Sequence, residues 1–369
     1  MKVKGKDMLL PTMMVGNYPK PMWFQSVTGG RSLLQGDLVH DSFEKETLKD
    51  VLSTLVKEQE LAGLDIISDC RIHSADSYGK QALYYYQFGF TNVSGYGPLI
   101  GLPIYSTLYA PTITGPIKRK HPIMTPIARL LRDLTDKPIK VQYTGVQALA
   151  QANNDKYYTS ARDRAMDMAA AINEDVLELD ALGVDYIQFD EFTWSYIMED
   201  WCIEAFNRAV SGVKNAKIVL HLCFGNYSGT PGYFPDDTAV SGKEAFTLNQ
   251  RKGGQPKGAR AVLPRAYEAK TDILHIEFSR QGIEGTAIFK EFPPPPKMDI
   301  CIGAINVKST ITETEEQVAT QIREALKVIP RDRLSVSTDC GMILLQRYVA
   351  VEKLKSLVAG TKIVRAELS

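Results

Sequence analysis

Short apolar runs rich in β-branched residues alternate along this chain with longer segments of helical periodicity, and this alternation is what most constrains the fold. Runs of this kind, separated by helical stretches, predict parallel strands covered by helices. We count eight runs, which favours a closed (β/α)8 TIM barrel over an open doubly wound sheet. The runs are Thr12–Gly16, Asp65–Asp69, Ile139–Thr144, Asp185–Asp190, Ile218–Leu222, Ile273–Glu277, Ile300–Ile305 and Leu334–Thr338.

Segments with helical periodicity fill most of the intervals between these runs. Two of them end in a glycine just before the next run, at Gly63 and Gly183, and a glycine there is the usual C-cap of a helix. The predicted helices are Glu44–Ala62, Ser160–Leu182, Ile197–Val213, Glu315–Val328 and Leu344–Ala359.

The length of 369 residues fits one large zinc-dependent barrel domain, residues 1–369, with two long insertions. Residues 77–125 are rich in Tyr, Gly and Pro and follow the second strand, where we expect a hairpin or a cap. Residues 224–262 are polar and form an insertion after the fifth strand. Insertions of this length cover active sites or make subunit contacts, so a homo-oligomer is one expectation.

The charge and cysteine content exclude several classes of partner and compartment. The chain has 43 basic and 43 acidic residues, so no global field favours nucleic acid or an anionic membrane surface. No apolar run approaches the roughly 20 residues of a membrane span, and Pro11 interrupts the apolar stretch near the N-terminus, against a secretory signal. Five scattered cysteines indicate free thiols in a reducing compartment. We expect a cytoplasmic protein that acts on small molecules.

Polar side chains end most of the predicted strands, which is where barrel enzymes hold their catalytic groups. His221 and Cys223 lie two residues apart at one strand end, so both side chains can point to the same side. A His-x-Cys alone is more often a pair of packed core residues, but Glu277 ends another run and Cys340 lies two residues after a third, so that all four can converge on one zinc ion. The other polar residues at strand ends are Asn17, Asp69, Arg71, Asp190, Glu191, Asn306, Lys308 and Asp339.

Zinc held by thiolates suits the activation of a substrate thiol. A free thiol is mostly protonated at neutral pH, and the thiolate is the nucleophile. A bound cation lowers the pKa of the thiol, and thiolate ligands keep the zinc electron-rich, so a bound substrate sulfur stays nucleophilic. In this interpretation Glu277 is the ligand that the substrate thiolate displaces, and the reaction is an alkyl transfer to sulfur.

Three segments resemble the zinc-binding segments of the cobalamin-independent methionine synthase family, namely HLCFGN at 221–226, IEFSR at 276–280 and STDCG at 337–341. MVGNYPKP at 14–21 and VDYIQFDE at 184–191 resemble two further strand motifs of that family. The duplicated N-terminal barrel of the family has no counterpart here, so the resemblance is to its one-barrel branch. The family's His, Cys, Glu and Cys ligands correspond to His221, Cys223, Glu277 and Cys340.

The most informative departure from the family lies after the second strand. Asp69-Cys70-Arg71 stands where methionine synthases carry Asp-Gly-Glu, whose Glu holds the ammonium group of homocysteine. Reversing that charge at about 4 Å is worth several kcal/mol at an effective dielectric near 20. Homocysteine would be repelled, whereas a thiol with an anionic head group suits the forked donors of Arg71. The alternative is that Arg71 pairs with Asp69 or Asp190 as internal scaffolding.

Two further departures concern the substrate contacts and the donor. Asn17 replaces a family Ser, and we predict that it binds substrate together with Arg71, Asp69, Asp190 and Glu191. Asn306-Val307-Lys308 replaces a family Asp-x-His associated with proton delivery to folate, which makes methyltetrahydrofolate a doubtful donor. Lys308 is either a solvated loop lysine or a proton donor to a developing alkoxide. The predicted catalytic residues are Lys308 and Asp190.

Together these changes resemble the sister branch of epoxyalkane:coenzyme M transferases. That resemblance implies a zinc-activated coenzyme M thiolate that opens an aliphatic epoxide to a 2-hydroxyalkyl thioether, with Arg71 on the sulfonate and neither folate nor corrinoid. The alternative is a one-barrel methionine synthase that methylates homocysteine from a corrinoid or folate donor, and Asp190, a contact of the homocysteine amine in the family, favours it. The third hypothesis is a non-catalytic metal-binding barrel, but charged groups at strand ends are costly to bury without a use.

Overall fold

The computed structural model describes residues 1–3, 5–24, 42–73, 85–87, 89–100, 108–195, 198–223, 258–279 and 283–369. The strands in chain order are β1 (Lys2–Val3), β2 (Lys6–Asp7), β3 (Ile67–Ser68), β4 (Val93–Ile100), β5 (Leu108–Ile113), β6 (Ile139–Thr144), β7 (Asn154–Asp155), β8 (Tyr186–Asp190), β9 (Lys217–Leu222), β10 (Ile273–Glu277), β11 (Asp299–Ile305) and β12 (Leu334–Thr338). The helices are α1 (Ser42–Ala62), α2 (Thr125–Leu134), α3 (Val146–Gln151), α4 (Ala161–Ala181), α5 (Cys202–Ala209), α6 (Ile288–Glu291), α7 (Glu315–Leu326) and α8 (Arg347–Leu368).

Seven parallel strands form the central sheet, in the order β12-β11-β10-β9-β8-β6-β3. Strands buried on both faces read as continuous apolar runs, which is why the sequence located them closely. β6, β10 and β12 have the predicted bounds, whereas β8, β9 and β11 differ from prediction by one residue at their first end. β3 is shorter than the predicted Asp65–Asp69.

The segment Pro11–Met13 contacts both edges of this sheet. It exchanges two main-chain hydrogen bonds with Val336 of β12, at 3.0 and 2.9 Å. The carbonyl of Thr12 accepts from the main-chain N–H groups of Asp65 and Ile66, at 3.2 and 3.1 Å, just before β3. Thr12 and Val336 form an isolated parallel bridge. The predicted first strand is therefore represented by one bridge residue that lies between the two edge strands.

Both predicted glycine C-caps are present. Gly63 and Gly183 have φ values of +90° and +77°, the left-handed region that glycine enters without steric cost. The N–H of Leu64 donates to the carbonyl of Gln59 at 3.1 Å, which closes the last turn of α1. Val184 makes the equivalent bond to Leu179 at the end of α4, also at 3.1 Å. Each cap turns the chain directly into the next strand.

The predicted helix Ile197–Val213 is wrong in its bounds, because α5 spans only Cys202–Ala209. The guanidinium of Arg265 donates to the carbonyls of Met198 and Glu199, each at 3.2 Å. The carbonyl of Glu199 also accepts from the main-chain N–H of Cys202 at 3.2 Å, in a turn that leads into α5. The residues before Cys202 are thus held by a contact with the distant Arg265, which periodicity alone does not reveal.

The C-terminal helix α8 is also longer than the predicted Leu344–Ala359. Gly360 directly follows the predicted end and lies inside the helix. A Cβ added at Gly360 would come within 2.5 Å of the carbonyl oxygen of Glu315 and 2.6 Å of the Cβ of Val318. Gly360 therefore permits close packing of α8 against the start of α7 instead of ending the helix.

The two predicted insertions have different outcomes. Within 77–125, β4 and β5 pair antiparallel, which confirms the expected hairpin, and β7 adds to its edge. Residues 74–84, 88 and 101–107 lie outside the described part of the chain, as do residues 224–257 of the second insertion, which stays a prediction.

The helices α2 and α3 were not predicted from the sequence. Within the described part of the chain, no helix has the length and apolarity needed to cross a membrane.

Candidate active site

Three of the predicted zinc ligands form a compact buried cluster. His221 is the second-last residue of β9, Cys223 directly follows that strand, and Cys340 lies two residues beyond β12. One potential ligand atom from each lies within 4.8 Å of the others. Strands β9 and β12 are separated in the sheet by β10 and β11, so the cluster forms where the carboxyl ends of non-adjacent strands converge.

The imidazole of His221 is arranged to bind a cation. Its Nδ1 contacts Nδ1 of His275, and its Nε2 is buried without a hydrogen-bond partner among the described residues. Burial lowers the pKa of His221 well below its usual range and that of His275 to about 3, so both rings are neutral at pH 7. A neutral imidazole with one engaged and one available nitrogen is the form that ligates metals.

The two thiols complete a donor set that fits zinc. A hydrogen bond with Cys223 and burial together raise the pKa of the Cys340 thiol well above its ordinary range. A nearby cation is what would hold such thiols as thiolates. One imidazole and two soft sulfur donors match the ligand preference of Zn²⁺.

Glu277, the predicted fourth ligand, lies outside this cluster. It is the last residue of β10, and its Oε1 accepts from the ammonium group of Lys308 at 2.6 Å. The two side chains are 4% and 2% exposed, so the alternative of a solvated loop lysine is wrong for Lys308. The main-chain N–H of Lys308 donates to the side chain of Asn306 at 2.9 Å. Metal binding by Glu277 stays a prediction.

Asp339 ties the end of β10 to the end of β12. Its Oδ1 accepts from the main-chain N–H groups of Phe278 and Ser279, each at 3.0 Å, and its Oδ2 accepts from the Ser279 hydroxyl. Burial, together with the neighbouring charge of Glu277, raises the pKa of Asp339 to about 7. This carboxyl group fixes the main chain immediately after Glu277 and immediately before Cys340.

From the sequence we predicted no function for His275 or for Asp339. The strand register could have indicated a role for His275. This residue pairs with His221 on the adjacent strand, and both side chains therefore face the same way. For Asp339 the only signal is its position one residue before a predicted ligand.

A small cavity beside the cluster contains three of the predicted substrate residues, Asn17, Arg71 and Asp190. The guanidinium of Arg71 donates to Oδ2 of Asp190 at 2.6 Å, and both side chains are less than a tenth exposed. The scaffolding and substrate hypotheses for Arg71 are therefore not exclusive, since it pairs with Asp190 and faces the cavity. The rest of the lining consists of His221, Cys223, Cys340, Gly341, Val15, Phe192 and Ile343.

The main chain at Arg71 is strained. Cys70 and Arg71 have φ values of +58° and +47°, a region in which non-glycine residues cost on the order of 1–3 kcal/mol each. Asp69 helps to hold this turn, because its Oδ1 accepts from the N–H of Arg71 at 3.1 Å and from the side chain of Gln142 at 2.8 Å. Such strain persists where surrounding contacts over-determine it.

Asp190 is positioned from below by a buried chain of polar groups. The side-chain amide of Gln188 donates to Oδ1 of Asp190 at 2.6 Å, and the ammonium of Lys140 donates to Oε1 of Gln188 at 2.5 Å. Burial raises the pKa of Asp190 even though Arg71 opposes the shift, and burial lowers the pKa of Lys140 to about 8.

Asp69 and Glu191, also predicted to bind substrate, are fully buried. Neither contributes to the cavity lining among the described residues. Oε1 of Glu191 accepts from the N–H of Val146 at the start of α3, at 2.8 Å, and burial raises the pKa of Glu191 to about 8. Their roles in substrate binding stay predictions.

The chain is similar to known proteins over nearly its whole length. It is 52% identical to 2-hydroxypropyl-CoM lyase from Xanthobacter autotrophicus, across 100% of this chain and 98% of that protein. It is 28% identical to a methionine synthase from Saccharolobus solfataricus, across 98% and 96% of the two chains.

Among solved structures, a B12-independent methionine synthase from Shewanella sp. W3-18-1, in complex with selenomethionine, superposes with a TM-score of 0.79 at 28% identity. That similarity covers 98% of this chain and 99% of the other, so the α/β fold is similar to that of the methionine synthase. Residues 10–230 and 259–362 match the family model described as the catalytic domain of cobalamin-independent synthases. The chain therefore belongs to the cobalamin-independent synthase family.

Proposed function

We propose that this protein is a zinc-dependent thiol alkyltransferase in which the thiolate of coenzyme M opens an aliphatic epoxide to a 2-hydroxyalkyl thioether. The observation that carries the proposal is the buried guanidinium of Arg71 in the same small cavity as His221, Cys223 and Cys340. A short thiol that bears a sulfonate matches both features at once. The 52% identity to 2-hydroxypropyl-CoM lyase supports the same function.

We also propose that the chain forms one eight-stranded (β/α)8 barrel domain over residues 1–369. The hydrogen bonds from Pro11–Met13 to both edges of the seven-stranded sheet support closure by an eighth, short strand. Closure explains how residues at the ends of distant strands share one cavity.

The proposed zinc ligands are His221, Cys223 and Cys340, and Glu277 becomes a fourth only when its ion pair with Lys308 opens. Zinc, when bound, supplies a Lewis acid that lowers the pKa of the substrate thiol and so makes its thiolate available at neutral pH. His275 holds the ring of His221 through their Nδ1 contact. This contact fixes which nitrogen of His221 is left for the metal.

Arg71 and Asn17 are the proposed contacts of the sulfonate. The forked donors of a guanidinium suit a tetrahedral oxyanion, and Asp190 orients them through its ion pair. Asp69 and Glu191 have supporting roles in this proposal, because Asp69 holds the main chain of Arg71 and Glu191 caps the start of α3. The apolar side chains of Val15, Phe192 and Ile343 would face the alkyl part of the epoxide.

In the proposed reaction the thiolate sulfur attacks an epoxide carbon, the S–C bond forms and the C–O bond breaks. Ring strain drives the cleavage, and the oxygen leaves as an alkoxide that must take up a proton. The candidate proton donors are Asp190, whose pKa is raised by burial, and Lys308 when its ion pair with Glu277 opens. Asp190 lines the cavity, and Lys308 lies behind Glu277. The proton released by the thiol balances the proton taken up by the product hydroxyl.

A methionine synthase is the second candidate. Asp190 favours it, because a carboxylate in the cavity suits the ammonium group of homocysteine. The similarity to the Shewanella enzyme at 28% identity is in keeping with it. Arg71 opposes it, because a second cation beside that ammonium is repulsive.

Calorimetry with zinc-loaded protein tests the proposal. We expect coenzyme M to bind with proton release and homocysteine to bind more weakly. Arg71→Met should weaken coenzyme M binding by about 10- to 100-fold, the range for a hydrogen bond to a charged group. Arg132→Met is the matched control, because it removes an Arg–Asp pair to Asp185, at 2.8 Å, outside the cavity.

Preference for homocysteine would move the protein to the methionine synthase alternative. Binding of neither thiol to the zinc-loaded protein would contradict the alkyltransferase proposal as a whole. If coenzyme M binds, turnover of a short aliphatic epoxide is the direct assay, and comparison of Asp190→Asn with Lys308→Met identifies the proton donor.

A further inference from the structure

Lys308 and Glu277 form a buried ion pair at the carboxyl end of β10, where Glu277 was predicted to bind the metal. Both side chains are almost fully excluded from solvent, and their charged atoms lie 2.6 Å apart. The cluster of His221, Cys223 and Cys340 forms without Glu277, although Glu277 ends the strand next to β9. The carboxylate is therefore engaged by a cation of the protein itself.

The main chain around Glu277 leaves only its side chain able to change partners. β10 pairs in register with β11 up to Glu277, and the next two main-chain N–H groups donate to Asp339. With both sides held, the carboxylate can move only by rotation of its side-chain torsions. Lys308 and a metal ion in the cluster then compete for one carboxylate.

We propose that Lys308 is a positioning residue that holds Glu277 by an ion pair and so keeps the fourth coordination position of the metal open to a substrate thiol. This inference rests on the proposed function and deepens it. Two thiolates and a carboxylate carry more negative charge than a divalent cation neutralises, and the ammonium of the buried Lys308 offsets that excess.

A double-mutant cycle on zinc affinity tests this role without any thiol or epoxide. The proteins are wild type, Glu277→Gln, Lys308→Met and the double variant, each titrated with zinc against a chromophoric chelator. With Lys308 present, Glu277→Gln should change zinc affinity by less than about threefold. With Lys308 replaced by Met, Glu277→Gln should lower zinc affinity by about 10- to 100-fold, the range for groups around a metal site. Lys308→Met alone should bind zinc more tightly.

Two further variants separate this role from a loss of packing. Lys308→Arg keeps the cation and should restore the wild-type response to Glu277→Gln. Lys353→Met removes another buried lysine, paired with Glu313 at 2.9 Å, and should leave zinc affinity unchanged. X-ray absorption of the zinc-loaded proteins gives an independent readout, with an added carboxylate ligand expected only in Lys308→Met.

The proposal is overturned if Glu277→Gln lowers zinc affinity equally with and without Lys308. In that case Glu277 is a permanent ligand and Lys308 does not control it. Failure of coenzyme M to bind would contradict the proposed function but leave this cycle intact, because the cycle uses zinc alone. Coenzyme M binding about tenfold weaker in Lys308→Met, recovered in Lys308→Arg, would support both.

Discussion

Acidic residues occupy both ends of the central sheet, but their partners differ. At the amino ends, Asp65, Asp185 and Asp272 come just before β3, β8 and β10. Each accepts a hydrogen bond from the main chain of a neighbouring segment, from Thr12 at 2.8 Å, Ile139 at 2.9 Å and Ile218 at 2.8 Å, respectively. These acids join adjacent strands and accept from main-chain donors near the strand starts.

At the carboxyl ends the acids are buried and pair with other side chains. Asp190 binds Arg71, and Glu277 binds Lys308. Burial raises the pKa of Asp69 and Asp190, and that of Asp339 to about 7. Burying charged groups is costly, and replacing such pairs with apolar residues is often neutral or stabilising. The amino ends therefore maintain the fold, whereas the carboxyl ends hold chemistry at the expense of stability.

A change to the metal cluster should have the largest effect, and it should spare the fold. Cys340→Ser removes a sulfur donor and should lower zinc affinity by at least about 100-fold, more than the loss of an outer group. The free energy of unfolding without metal should change by no more than about 1 kcal/mol, because serine is similar in size. Chelator competition and urea unfolding measure the two quantities, and a loss in affinity below tenfold would contradict the assignment.

A change at the amino ends should have the opposite pattern. Asp185→Ala removes the acceptor for the N–H of Ile139 and the partner of Arg132, and should lower the free energy of unfolding by about 1–3 kcal/mol. Zinc affinity should be unchanged. Asp200→Ala is the control, since Asp200 is fully exposed. Equal destabilisation by the two variants would show that the strand-start contact adds nothing.

The pH dependence of stability should reveal a further acid near the amino ends. Burial alone would raise the pKa of Asp180, but the N–H groups of Ala216, Asn215 and Lys214 donate to it just before β9 and lower the pKa overall. A folded pKa below the unfolded value of about 3.9 contributes stability that is present above that pH and lost as pH falls through the folded pKa.

Asp180→Asn should therefore lower the free energy of unfolding at pH 7 and make it less dependent on pH below about pH 4. Urea unfolding at a series of pH values measures both effects. If the free energy of unfolding of the variant fell as steeply below about pH 4 as that of wild type, Asp180 would be excluded as a source of the pH dependence.

The smallest effect is expected where an amino-end pair is exposed. Lys217 lies 3.4 Å from Asp272, and both side chains are about half exposed. Lys217→Met should change the free energy of unfolding by less than about 0.5 kcal/mol, because exposed ion pairs contribute little. Asp272 keeps its bond to Ile218 in this variant. A loss above 1 kcal/mol would show that the pair contributes more than its exposure suggests.

The apolar runs predicted the strands of the central sheet, and strand ends together with the family resemblance pointed to His221, Cys223 and Cys340, whose metal binding stays a prediction. Buried parallel strands are uniform apolar runs, and their ends locate His221, Cys223 and Cys340. What depends on distant contacts was missed or wrong. Arg265 contacts the main chain just before α5, and the packing of α7 explains Gly360 inside α8. The pairing of Lys308 with Glu277 depends on side-chain torsions across two strands, which no spacing encodes.

The turn at Cys70 and Arg71 has a consequence for engineering. Because two consecutive non-glycine residues hold left-handed main-chain angles, the shape of this turn comes from the surrounding contacts and not from residue preference. The side chain at position 71 can then be exchanged on a pre-set scaffold. Directed evolution of the head-group preference of this enzyme class should therefore proceed by single substitutions there, with no redesign of the loop.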